Sequence, residues 1–295
     1  MKGERHTTRG AEPGLALRRI ASPAGVLCVL ALDHRDAMRN AFRRVGVEDV
    51  SAETMAETKA RIIEAVAASA SGALLDHDAA RRSRPDGLGV LVPLERQGYA
   101  ALDGGRLNEL EFAATDAVAV GADGCKLLLH YRADHRATAA RQHALVARAA
   151  DECQRVGLPL VVEPIVYRLE DESEDAYLAA FADLVVAGAE TLSGSGVDML
   201  KLQYPGDRSA CERLTAAAAP LRWVLLGGGE VDAEEFAVDL EAACRAGACG
   251  FMAGRTVWGG ALGLPAPEQR RWLAERARPL FERLASIAHA HAAGI

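Results

Sequence analysis

Val197-Asp198-Met199-Leu200-Lys201-Leu202 is a short apolar run with a lysine inside it. Its length and its aliphatic character suit a strand covered on both sides, as in a parallel sheet packed between helices. Side chains alternate along such a strand, so Leu200 and Leu202 take one face and Met199, Lys201 and Gln203 the other. Similar runs recur at Val26 to Leu32, Ala73 to Leu75, Leu88 to Val92, Gly124 to Leu129, Leu158 to Val162, Trp223 to Leu226 and Gly250 to Ala253. Each ends in polar residues or glycine, and the stretches between them read as helix. Ala52 to Ala70 is amphipathic, with Ser51 as its N-cap, and Ala137 to Val156 carries apolar residues at helical spacing. Gly72, Gly121, Gly157, Gly188 and Gly247 mark helix ends or the turns that lead into the next strand. Eight strand–helix repeats predict an α/β chain folded as one (β/α)8 TIM barrel over residues 15–295. Leu15 to Ala21 is expected to close the bottom of that barrel, and residues 1–14 to form a flexible tail. A doubly wound open sheet is the alternative, but no G-x-G-x-x-G opens a helix after the first strand.

Composition narrows the function classes. Half of the 295 residues are apolar, enough for a large core, and the formal charge of -7 comes from interspersed acidic and basic residues. No long basic run suggests nucleic-acid binding, and the densest cluster, Arg81, Arg82 and Arg84, reads first as a solvated loop face and second as part of an anion site. No apolar stretch is long enough for a membrane span, and the first residues lack a signal-peptide core, so a cytoplasmic protein is expected. Six cysteines are scattered without C-x-x-C spacing and read as free thiols. The histidines show no H-x-H or H-E-x-x-H pairing, so neither a metal nor a cofactor is expected.

Barrel enzymes carry their chemistry where the strands end. Those ends are polar here: Asp33, His34 and Arg35 after the first run, Asp76 after the second, Glu95 beyond the third, Lys126 in the fourth, Glu163 in the fifth and Lys201 in the sixth. A lysine pointed into a packed barrel must be paired or lose its proton. Glu163 lies on the neighbouring strand, about 4.8 Å away across the sheet, within reach of the Lys201 amine. A structural salt bridge and a proton-transfer pair look alike at this level, and both readings stay open. Lys126, two strands away, adds a second inward cation, which favours the neutral, nucleophilic form of a nearby amine. Gly227-Gly228-Gly229 after the seventh strand and Gly254-Arg255 after the eighth fit the phosphate site common in such barrels, although loop glycines are also ordinary turn residues.

These motifs together resemble the tagatose-1,6-bisphosphate aldolase group of class I aldolases, which includes the sulfofructosephosphate aldolases. The resemblance covers most of the chain and runs through Leu30-Ala31-Leu32-Asp33-His34-Arg35-Asp36-Ala37-Met38, Lys126-Leu127-Leu128, Glu163-Pro164, Val197 to Lys201 and Gly250-Phe251-Met252-Ala253-Gly254-Arg255-Thr256-Val257-Trp258. It implies that Lys201 forms an imine, that Glu163 is the acid/base, and that Arg255 with Gly228, Gly229 and Gly254 binds a phosphate. Asp33 and Lys126 match further active-site positions, and His34 and Arg35 fall among the substrate-binding residues. Two positions depart from the family's pattern. His34 stands where Gln is usual, and Gly227 stands where a phosphate-binding Ser is common, with an extra residue near Glu230. Glu163-Pro164-Ile165-Val166 and Gly263-Leu264-Pro265 lie closer to the sulfosugar branch.

The resemblance implies retro-aldol cleavage of a ketose phosphate to dihydroxyacetone phosphate and a three-carbon aldehyde, without a cofactor, by a protein expected to be a homo-oligomer whose partner is a small sugar phosphate. Two rivals stay open. One is a sugar-phosphate epimerase using acid/base groups without an imine, and the other is a non-catalytic sugar-phosphate sensor.

Overall fold

The computed structural model describes residues 15–227 and 232–295. The expected N-terminal tail, and Gly228 and Gly229 of the expected phosphate loop, lie outside the described residues.

Eight parallel strands close into a barrel: β1 Leu27–Leu32, β2 Gly72–Leu75, β3 Gly89–Pro93, β4 Gly124–His130, β5 Leu160–Ile165, β6 Met199–Leu202, β7 Arg222–Gly227 and β8 Gly250–Ala253. Each pairs with its sequence neighbours, and β8 returns to β1. All eight runs named from the sequence are strands, displaced by at most three residues at an end, the largest being the fifth, which runs on from Val162 to Ile165. The fifth begins at Leu160 rather than Leu158, since Pro159 has no N–H to donate and its carbonyl instead accepts from Cys125.

Alternation divides the apolar residues into two cores. Cys28, Leu30, Leu32, Leu200, Leu202 and Phe251 point outward onto the helices, while Leu27, Val29, Ala31, Val161, Met199, Val224 and Met252 fill the barrel interior. The 3-10 helix Leu15–Ile20 seals the lower end, with Leu17 and Ile20 packed into the interior cluster. Gly89 meets it so closely that a Cβ there would lie 2.0 Å from the Arg19 carbonyl oxygen. With the bottom plugged by hydrocarbon, the open end of the barrel is at the C-terminal side of the strands.

The helices follow their sequence signals. Ser51 Oγ accepts from the Thr54 N–H to open the helix Ala52–Val66, and the helix Arg136–Val156 ends on Gly157 at φ 73°. The first of these stops at Val66, short of the expected Ala70, and Ser69 and Ala70 turn back onto the Val66 carbonyl. One feature has no counterpart in the sequence reading. Between β3 and β4 the chain leaves the barrel and forms a small antiparallel hairpin, Ala100–Leu102 with Gly105–Leu107, before the helix Ala114–Ala119. All six cysteines are free and buried, and no helix among the described residues is long and apolar enough to cross a membrane.

Candidate active site

Above the hydrocarbon layer the inward positions become charged. Lys126 is the third residue of β4, Glu163 the fourth of β5 and Lys201 the third of β6, while Asp33 directly follows β1. All three strand residues are buried. Lys201 Nζ donates to Glu163 Oε2 at 3.0 Å, and Lys126 Nζ lies 3.5 Å from the same oxygen. Lys126 also contacts Asp33 Oδ2 at 2.8 Å and Glu95 Oε1 at 2.6 Å. Two amines and three carboxylates therefore share one buried cluster.

The charges order themselves by this geometry. Burial alone would discharge Lys126, but Asp33, Glu95 and Glu163 outweigh it and keep the ammonium protonated well beyond the ordinary lysine range. Burial also opposes the Asp33 carboxylate, yet Lys126, with His34 and Lys201, holds its pKa well below the usual value. For Glu95, burial wins over Lys126 and, with the Asp33 charge, pushes its pKa upward. Lys126 is thus a fixed cation with Asp33 as its fixed counter-charge. Among the described residues, one carboxylate lies within ion-pair distance of Lys201, that of Glu163.

A cavity of about 660 Å³ opens over the cluster and is lined by Asp33, Lys126, Glu163 and Lys201. Among the residues expected at the site, His34, Arg35 and Arg255 also line it. His34 stands edge-on to Trp258, with ring centroids 5.2 Å apart, and burial pushes its pKa down to about 4 despite the nearby Asp33 carboxylate. Its ring is neutral at physiological pH. Arg35 is held at the rim by Glu111 at 2.9 Å and by the Glu95 carbonyl. Arg255 follows Gly254, whose N–H donates to the Gly227 carbonyl and ties the ends of β7 and β8 together. Arg255 is exposed at the cavity edge, and no carboxylate among the described residues is within ion-pair distance of it. Gly227 is required by packing: a Cβ would lie 2.7 Å from both Ala253 Cβ and the Phe236 ring, so the ring occupies the space a larger residue would need.

Other polar strand ends are structural. Asp76 pairs with the buried Lys59 and caps the helix His77–Arg82 by accepting from the Asp78 and Ala79 N–H groups. Arg84 is bound to Asp123, and Arg81 to Asp78, away from the cavity. Among the described residues, no three His, Cys, Asp or Glu side chains are grouped to hold a metal ion.

Several cavity residues escape the sequence reading. Glu95 is visible there as a polar residue beyond the third strand, but not as a partner of Lys126. Arg96 and Gly98 enter from the excursion that carries the hairpin, and Glu235 and Asp239 from the helix Ala233–Arg245. The spacing of Glu235 and Asp239 would have found a shared helix face, but nothing in it says that this face borders a cavity.

Residues 27–260 match the model of the DeoC/LacD family aldolases. The chain belongs to the DeoC/LacD family. Among its relatives, the tagatose 1,6-diphosphate aldolase of Listeria monocytogenes serotype 4a is 30% identical over 209 residues, which cover 67% of this chain and 61% of that protein. The chain therefore spans less than two thirds of the length of that relative. Tagatose 1,6-diphosphate aldolase 2 of Streptococcus mutans is 26% identical over 291 residues, covering 87% of this chain and 88% of that one. The crystal structure of an archaeal fructose 1,6-bisphosphate aldolase covers 93% of this chain and is itself covered fully, at 20% identity and a TM-score of 0.69, a likeness of fold.

Proposed function

We propose that this DeoC/LacD family member is a class I aldolase that cleaves a ketose 1-phosphate through a Schiff base on Lys201. The observation that carries the reading is the asymmetry between two buried amines: Lys126 is surrounded by three carboxylates, whereas Lys201 pairs with Glu163 alone among the described residues, at 3.0 Å. An amine locked in charge by several carboxylates cannot attack a carbonyl. One with a single proton acceptor can transfer its proton and become a nucleophile.

In the forward reaction the neutral Lys201 amine adds to the C2 carbonyl, and the carbinolamine loses water to give an iminium ion. Glu163 removes the proton of the C4 hydroxyl as the C3–C4 bond breaks, and the bonding electrons move into the iminium to leave an enamine and an aldehyde. Protonation at C3 and addition of water release dihydroxyacetone phosphate and restore the amine. The water lost in imine formation is regained in this last step, and the charged Lys126 stabilises the oxyanions on the path. Arg255 receives the phosphate: its guanidinium pairs with no carboxylate among the described residues and can make a charge-assisted pair with the anion. The names of the relatives make tagatose 1,6-bisphosphate the first substrate to test, and the segments Glu163 to Val166 and Gly263 to Pro265, closer to the sulfosugar branch, make a ketohexose 6-sulfonate 1-phosphate the second.

The test is borohydride reduction in the presence of dihydroxyacetone phosphate, followed by peptide mapping. An adduct is expected on the peptide holding Lys201, and none in Lys201→Ala. An adduct on Lys126, or none while the substrate is still cleaved, overturns the assignment to Lys201, and epimerisation of the sugar phosphate with neither adduct nor cleavage favours an acid/base site without an imine.

A further inference from the structure

Glu95 contacts the catalytic cluster but lies outside the barrel strands. β3 ends at Pro93, the Leu94 N–H still donates to the Lys126 carbonyl, and the chain then turns away toward the hairpin. The Glu95 side chain reaches back. One carboxylate oxygen is 2.6 Å from Lys126 Nζ, and the other accepts from the Leu128 N–H at 3.1 Å. Its backbone is fixed as well, by a bridge to Leu110 and by the Arg35 guanidinium on its carbonyl. A carboxylate held at both oxygens and buried to 7% exposure has little freedom to meet a substrate.

We propose that Glu95 is a positioning residue that anchors the Lys126 ammonium on the side away from Glu163, leaving Glu163 free to exchange protons with Lys201 and the substrate. The distances grade in that sense. Lys126 lies 2.6 Å from Glu95 and 2.8 Å from Asp33, but 3.5 Å from Glu163, whose nearer partner is Lys201 at 3.0 Å. Glu163 is a shared acceptor, and an ammonium that moved onto it would consume the base on which the reaction depends. The groups facing Glu163 are Lys126 and His130 from β4 and Lys201 from β6, and Lys126 in turn faces Asp33 after β1 and Glu95 after β3. Among the described residues, Glu95 and Asp33 hold Lys126 back; both border the cavity, but the second Glu95 oxygen is already taken by the Leu128 N–H, which fixes that carboxylate against the strand.

The inference rests on the aldolase reading above, and its test separates the two. Glu95→Gln removes a negative charge beside the cluster, so the cluster binds protons less readily. The acidic limb of the kcat/KM profile then moves to lower pH, and kcat falls by roughly tenfold or more as the base is lost to Lys126. Borohydride still traps dihydroxyacetone phosphate on Lys201 in this variant. Glu95→Asp keeps the charge with a shorter reach, so its limb stays at the wild-type position while part of the rate is lost. A wild-type limb and rate in Glu95→Gln overturn the proposal, as does an equal loss in both variants with no movement of either limb, which marks a purely structural role. Should Glu95→Gln fail to fold by thermal melting, Glu95→Ala, which removes the same charge, takes its place: a limb displaced to lower pH supports the proposal and an unmoved limb overturns it. Absence of trapping in the wild type refutes the aldolase reading itself, independently of either variant.

Discussion

Lys126 and Lys201 are both lysines on inward positions of parallel strands, and their surroundings give them different chemistry. Replacing Lys126 with Ala removes the cation that helps to balance Asp33, Glu95 and Glu163, and leaves Lys201 facing an excess of negative charge that favours its ammonium form. Imine trapping in Lys126→Ala is expected to be slower than in the wild type and to need higher pH, with the adduct still on Lys201. A trapping profile at the wild-type pH would show that Lys126 does not tune the nucleophile. Arg255→Met tests the other end of the substrate. A charge-assisted contact contributes about 1.5 to 3 kcal/mol, so affinity for dihydroxyacetone phosphate should fall by roughly ten- to a hundredfold. Unchanged binding in a calorimetric titration would put the phosphate elsewhere.

At the scale of elements, the buried Lys59–Asp76 pair joins the helix Ala52–Val66 to the cap of the helix His77–Arg82. Breaking one partner leaves an uncompensated buried charge, so Asp76→Ala should cost about 3 to 5 kcal/mol in urea unfolding while activity per folded molecule survives. A loss of only a few tenths would show that Lys59 reaches solvent instead. Ile20→Ala in the 3-10 plug should cost about 2 to 5 kcal/mol, because it opens a void against the fully packed lower layer. Legibility in the sequence follows the same division. The strands are legible because a parallel strand covered on both faces must be apolar throughout, and a charged residue inside such a run then stands out; Asp33, Lys126, Glu163 and Lys201 are found in this way and do converge on one cavity. Lys59 is not legible, since a lysine on an amphipathic helix normally reaches solvent and its burial depends on Asp76 lying opposite. The hairpin over residues 100–107 is hidden for a related reason: its strands have three residues each and expose the Ala100 and Ala101 side chains, so neither length nor periodicity marks them. The Glu95–Lys126 contact depends on that excursion, because the path of the chain beyond Pro93 decides where the carboxylate returns.

The molecule as a whole buries titratable groups with opposite leanings, which makes its acid response separable residue by residue. Burial pushes His34 down to about 4, against an ordinary value near 6.5, so between those two pH values the unfolded chain binds a proton that the folded chain refuses. The contribution of His34 to stability is present at neutral pH and is lost as the pH falls from about 6.5 to about 4. Asp239, on the helix beside the cavity, goes the other way. Burial first, and then the neighbouring Glu235 charge, raise its pKa from 3.8 to about 6. Its folded form keeps a proton that the unfolded chain releases, so its contribution is fully present below about 3.8 and is lost as the pH rises through about 6. Unfolding free energies at pH 7.5 and pH 4.5 for the wild type, His34→Gln and Asp239→Asn should therefore diverge in opposite directions. Relative to the wild type, His34→Gln gains stability on acidification because it lacks the group that resists protonation, and Asp239→Asn loses stability because it lacks the group that welcomes it. If both differences keep the same value at the two pH values, the half-buried positions of these side chains beside the cavity do not perturb their titration. If only the Asp239 difference is flat, the helix Ala233–Arg245 stands farther from the cavity than the packing of Phe236 against Gly227 requires.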